Sequence, residues 1–148
     1  LNVLFITPIV DFEQLAIADP NDFDYPLWPP APFVDLIHWY GSNFGPPLMA
    51  RPAWWRATIW IDALFFFPFY VAALYAFIKG KDWIRNWCFI WASVMMTNVF
   101  IICFEETLGA HPTEHLALVL ALNFPWFTVP IVLLKRMWST TTPFTEPA

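Results

Sequence analysis

Three stretches of this sequence run for the length of a membrane crossing with at most one charge in each. They are ATIWIDALFFFPFYVAALYAFI at about 57–78, WCFIWASVMMTNVFIICF at about 87–104 and LALVLALNFPWFTVPIVLL at about 116–134. Roughly 20 apolar residues in a helix match the ~30 Å hydrocarbon layer of a bilayer. Backbone N–H and C=O groups find no water there, so such segments must be helical. A fourth, shorter apolar segment, LNVLFITPIVDFEQLAI at about 1–17, precedes them. Composition closes off the soluble alternative. Hydrophobic residues reach 59% and charged residues only 13%, against about 25% charged in ordinary globular chains. The expected architecture is an all-α membrane protein: one transmembrane domain over 1–148, a four-helix bundle with kinked helices and a long proline-rich first loop over about 18–56.

Charge placement sets the orientation. Lys79, Lys81 and Arg85 lie between the second and third segments, and Lys135 and Arg136 follow the last. An even number of crossings separates the two places, so both lie on one side, the cytoplasmic one or its organellar equivalent. Asp19, Asp22, Asp24, Asp35 and Glu114 fall on the other. A net charge of −5 and a pI near 4.9 exclude a nucleic-acid partner, which needs a basic face. Within the first loop, 34–44 reads as a short amphipathic helix on the membrane surface. Trp54, Trp55, Trp83, Trp87 and Trp138 read as interfacial anchors. Cys88 and Cys103 are 15 residues apart in one helical segment, about 22 Å along its axis, too far for a disulfide.

Polar residues inside the apolar segments carry the functional signal. An acid at the centre of a span costs roughly 2.5–3.5 kcal/mol, so it faces a cavity or a partner rather than lipid. Asp62 sits about six residues into the second segment. It is either a ligand-facing carboxylate or a tie to a neighbouring helix. Glu105 and Glu106 close the third segment at the acidic side; one is expected to point to water and the other inward, toward Asp62. That pair suits a protonated acid or a bound cationic amine. In the fourth segment His115, Val119, Asn123, Trp126 and Pro130 fall on one helical stripe, and Asn123 is a helix–helix tie or a ligand contact. Pro8, Pro68, Pro125 and Pro130 each remove an i to i−4 hydrogen bond and are expected to kink their helices around a cavity lined by Phe65, Phe66, Phe69 and Trp126. No metal-ligand spacing, phosphate loop or C-x-x-C is present, and no cofactor is expected.

The stretch LIHWYGSNFGPPLMARPAWWRATIWIDALFFFPFYVAALYAFIKGKDWIR, with FEE closing the third segment and PTEHL opening the fourth, resembles the EXPERA membrane domain. That family includes the sigma-2 receptor and the emopamil-binding protein, a sterol Δ8–Δ7 isomerase, and the likeness is greatest to the sigma-2 receptor branch. The resemblance implies a four-helix bundle around a cavity for sterols or amphipathic amines. It implies Asp62, Glu105, Asn123 and Trp126 as ligand contacts, joined by Phe66 and Phe69 from the aromatic lining. If the chain were an isomerase, the resemblance makes Asp62, Glu105 and Trp126 its catalytic residues. The first-span acid of receptor-type members falls at Gln14, beside Glu13. The isomerase's second-span His falls at Thr58.

The leading reading is a non-enzymatic membrane protein that binds a sterol, lipid or amphipathic small molecule in the bundle. The alternatives are an accessory structural subunit of a larger membrane complex, such as a respiratory one, and a sterol isomerase. The partners expected are membrane lipid or sterol, with a homodimer or a larger complex as the assembly. The ending STTTPFTEPA has no lysine-rich retrieval stretch, which leaves the endoplasmic reticulum and the mitochondrial inner membrane both open.

Overall fold

The structure, a computed structural model, describes residues 2–145. Leu1 of the expected first segment and 146–148 of the tail lie outside the described residues. The described chain is helical, with no strand. Helix α1 (Phe12–Ala16) continues a π-helical segment, Asn2–Asp11, that contains Pro8. Helices α2 (Ala31–Asn43) and α3 (Pro46–Ala50) follow; α2 covers the expected surface helix. Helix α4 (Ala53–Ile61), a π-helical turn (Asp62–Phe66) and α5 (Phe67–Ile78) then form one continuous rod. Helices α6 (Ile84–Leu108) and α7 (Leu116–Ser139) complete the chain.

Three helices are long and apolar enough to cross a membrane: Ala53–Ile78, Ile84–Leu108 and Leu116–Ser139. Each outruns its sequence estimate, because interfacial and polar residues at the ends, such as Trp54, Arg85 and Lys135, remain helical. The helical segment Asn2–Ala16 is shorter than a crossing requires. It packs against the π turn, α4 and α5.

The prolines act differently from one another. Pro68 has no N–H and its ring crowds the carbonyl four residues back. The turn just before it is widened to π geometry, which relieves that crowding. Pro125 and Pro130 sit inside α7, which continues as one helix through both.

The core lies between α5, α6 and α7: Phe66, Phe69, Ala73, Ala76, Ile84, Cys88, Trp91, Ala92, Met95, Val99 and Met137 are buried together. Lipid tails are as apolar as these side chains, so close packing rather than water expulsion holds such helices. Small residues make the approach possible: Ala73 and Ala76 on α5 and Cys88 and Ala92 on α6, all buried. Phe69 stacks on Trp91 with centroids 5.2 Å apart and planes 13° apart. Leu64, Ile78, Val132 and Trp138 face outward, as a bilayer-embedded surface requires.

The two basic segments meet at one end of the bundle. Arg85 Nε donates to the carbonyls of Met137 (2.8 Å) and Thr140 (2.9 Å). Asp82 accepts from Phe144 N at 2.8 Å and from the Thr145 hydroxyl at 2.5 Å, so the tail folds back over the α5–α6 turn. At the other end Thr113 Oγ1 donates to Phe44 O at 2.8 Å, and the Phe44 and His115 rings lie 5.0 Å apart. That end carries α2 and α3 as a cap.

Candidate functional site: an acidic cavity under the helical cap

A cavity of about 520 Å³ opens between the cap and the bundle, well within the usual range for a small-molecule site. Both π-helical segments and helices α2, α3, α4, α6 and α7 contribute walls; α1 and α5 do not. The first segment gives Phe5 and Asp11, α2 gives Leu36 and Tyr40, α4 and the π turn give Trp55, Thr58, Asp62 and Phe66. Helix α6 gives Met95, Asn98, Val99, Ile102 and Glu106, and α7 gives Asn123 and Trp126.

Of the residues singled out in the sequence, Asp62, Phe66, Asn123 and Trp126 line this cavity. Glu105, Phe65 and Phe69 do not. The Glu105 carboxylate folds back over the end of α6, where Oε1 accepts from the backbone N–H of Ala110 (3.0 Å) and His111 (3.1 Å) and sits 2.7 Å from His111 Nδ1. It caps the helix end and does not approach Asp62 across the cavity. Glu106 turns inward instead and is buried. Phe69 stacks on Trp91 and lines a separate groove on the far side of α5. Asn123 does not donate to a carboxylate: its Nδ2 donates to Val119 O at 2.9 Å, so its amide oxygen is the acceptor left for the cavity. Thr97 points away, with its hydroxyl on Ser93 O.

Three cavity residues went unassigned in the sequence. Asp11 is 2% exposed and interacts electrostatically with Asp62. Thr7, Asp11 and Gln14, all buried, recur at helical spacing, and that polar stripe was the available signal. Asn98 is a polar residue in the middle of the third apolar segment, open in the sequence to a helix tie or a ligand contact, and Glu106 is one of an undecided pair. Met95, Val99, Ile102 and Glu106 fall at steps of four, three and four, a single stripe from which Glu105 is displaced by most of a quarter turn. Among the described residues, Asp11 Oδ2, Asn98 Nδ2 and Glu106 Oε2 are buried without a hydrogen-bond partner. All three residues line this one cavity. A buried polar atom left unpaired costs about 1–3 kcal/mol, so the cavity is built to receive partners. Tyr40, on the cap, has its phenol raised above the ordinary 10 by burial and then by Glu106. No Lys or Arg is among the lining residues, and no group of three or more His, Cys, Asp or Glu among the described residues is placed to hold a metal ion.

The remaining buried acid is accounted for differently. Glu13 is fully buried and its Oε1 accepts from Arg51 Nη2 at 2.6 Å, with His38 Nε2 at 2.9 Å. Its Oε2 accepts from Gln14 Nε2 at 2.7 Å, and Gln14 Oε1 accepts from Trp55 Nε1 at 2.7 Å. Arg51 also donates to Ile17 O and, through Nε, to Leu48 O at 3.1 Å. This network bolts the first segment to α2, α3 and α4. Its positive charge is spent on Glu13 and leaves the cavity acids uncompensated.

The EXPERA (EXPanded EBP superfamily) model matches residues 32–137. Curated relatives include proteins named sigma intracellular receptor 2: 31% identical in Macaca fascicularis over 93% of this chain and 84% of the relative. The Xenopus tropicalis relative is 30% identical over 89% and 79%, and the human one 33% over 88% and 79%. No solved structure matches. Three apolar helices of crossing length and a family match spanning cap and bundle lead to one conclusion: this integral membrane protein belongs to the EXPERA family.

Proposed function

We propose that this chain is a non-enzymatic membrane protein that holds a sterol or an amphipathic amine in the cavity beneath its cap. The observation that carries this reading is the convergence of Asp11, Asp62 and Glu106 on one largely apolar cavity with no cation in its walls. Buried carboxylates without a counter-charge call for a donor. A ligand with a large apolar body and one ammonium or hydroxyl end supplies it. The aromatic faces of Phe66, Trp55 and Trp126 suit the apolar body, and also a cation held over a ring. The word receptor in the relatives' name agrees with a ligand-holding role.

In the same reading the whole chain is one four-helix domain, with Asn2–Ala16 as the fourth helix of the bundle, and the basic end faces the cytoplasm. Binding is favoured over sterol isomerisation because Glu105, the second acid carried over from the isomerase, is engaged with His111 and Thr58 stands where the isomerase has a histidine.

Asp62→Asn tests the proposal, because it keeps volume and removes charge. Binding of a radiolabelled sterol and of a hydrophobic tertiary amine to the purified full chain is expected to weaken at least about ten-fold, or ~1.4 kcal/mol, for whichever probe is held. Thermal stability is expected to hold, since a neutral amide is cheaper to bury than a carboxylate. Absence of binding of either probe by the unaltered protein refutes it and favours the structural-subunit reading.

A further inference from the structure

A second groove, of about 310 Å³, lies on the outer surface between α5 and the start of α6. It has no part in the cavity beneath the cap. It is lined by Leu64 and Phe65 of the π turn, Phe69 and Ala72 of α5, and Trp83 and Trp87 at the start of α6, so along the rod Leu64 marks the end farthest from the Lys79 turn and the two indoles mark the mouth beside it. Both indoles are about half exposed, which is the posture of a ring at the membrane–water boundary. From Leu64 to Ala72 the groove follows α5 for ~12 Å at the helical rise. That is close to the ~15 Å depth of one leaflet's hydrocarbon.

The charges at the mouth are unbalanced. Lys79 and Lys81 are exposed on the turn that carries Trp83, and neither is ion-paired among the described residues. The nearby acid, Asp82, is turned to Phe144 N and the Thr145 hydroxyl and forms no ion pair with either lysine, so against Lys79, Lys81 and Arg85 it leaves the turn net positive. Arg85 is turned onto the carbonyls that end α7. The turn therefore presents two cations without an ion-pair partner above an aromatic slot close to one leaflet in depth.

We propose that this groove is a binding site for an anionic phospholipid, with one acyl chain in the slot and the phosphate-bearing headgroup against Lys79 and Lys81. Zwitterionic lipids fill the slot equally well and gain nothing from the lysines, so selectivity resides in the turn and occupancy in the aromatics. Each lysine near an anionic surface contributes about a five-fold preference.

The test uses the full chain in phosphatidylcholine nanodiscs. It reads the tryptophan emission lost on Trp83→Phe/Trp87→Phe substitution, quenched by 10% brominated phosphatidylglycerol or 10% brominated phosphatidylcholine. Phosphatidylglycerol is expected to quench that component at least about five-fold more effectively. The exposed Lys79→Gln/Lys81→Gln variant is expected to bring the two lipids within about two-fold of each other, with phosphatidylcholine quenching unchanged. Equal quenching by both lipids in the unaltered protein overturns the proposal in favour of a non-selective lipid belt. A preference that survives loss of both lysines overturns it as well. Stronger quenching by dibromocholesterol than by either phospholipid assigns the groove to a sterol and also overturns it.

Discussion

Arg51→Met is the most informative single change outside the cavity. The Arg51 side chain is 3% exposed and that of Glu13 fully buried, with nitrogen and oxygen 2.6 Å apart. Methionine fills most of the volume of the arginine stem, so little of the effect is a packing loss. What is lost is the counter-charge of a buried carboxylate, together with the donor that Ile17 O and Leu48 O rely on. Breaking a buried pair from one side costs about 3–5 kcal/mol. His38 and Gln14 remain on Glu13 and hold the figure toward the lower end. For a chain of this size each kcal/mol moves the melting temperature by about 2–4 °C, so the expected drop is about 6–20 °C. Thermal unfolding of the detergent-purified protein reads this directly. Glu13→Gln/Arg51→Met removes both charges, and replacing a buried pair by neutral groups is often close to neutral. The double variant is therefore expected to recover at least about half of the loss. A single-variant drop below about 3 °C, or a double variant as unstable as the two single effects added, would show that the ion pair does not bolt the cap to the bundle.

Two further outcomes follow from the packing and the charge pattern. A single cysteine at position 22 is expected to be labelled by a membrane-impermeant reagent from one face of sealed vesicles, and one at position 81 only from the other; labelling of both from one face would refute the topology. Gly109→Ala is expected to destabilise the chain by about 1–3 kcal/mol, read as a melting shift, because its Cβ would stand 2.2 Å from Glu105 Oε2 and 2.7 Å from Glu105 Cα; a neutral outcome would mean that Glu105 is not needed as the cap of α6.

The spans were legible because hydropathy alone determines them, and Asp62 because lipid makes an unplaced acid expensive. Asn123 and Trp126 were legible because α7 holds one helical phase through both prolines. The choice between Glu105 and Glu106 was not. Adjacent residues differ by 100° around a helix, and the apolar residues around them do not say which face meets the cavity. That needed the position of His111, which draws Glu105 to the loop. Phe66, the last residue of the π turn, and Phe69 in α5 are three positions apart, about 60° around a regular helix, and the Trp91 ring stacked on Phe69 puts the two on different cavities, a tertiary fact without a local signature. Asp11 was obscured because its segment is short and carries Pro8, so there is no full apolar span against which a single acid stands out.

The π turn at Asp62–Phe66 has a consequence for how such a protein can change. A π turn is an α-helix with one residue too many, so it acts as a phase adjuster between α4, which faces the cap, and α5, which faces the core and the lipid. Deleting one residue within it would rotate the two halves by about 100° relative to each other while leaving each half's own sequence intact. Asp62 lies at the pivot. A one-codon insertion or deletion there would therefore swing the acid relative to the cavity without altering the sequence of α5 or α6, a route to a changed ligand site that no substitution in the wall offers.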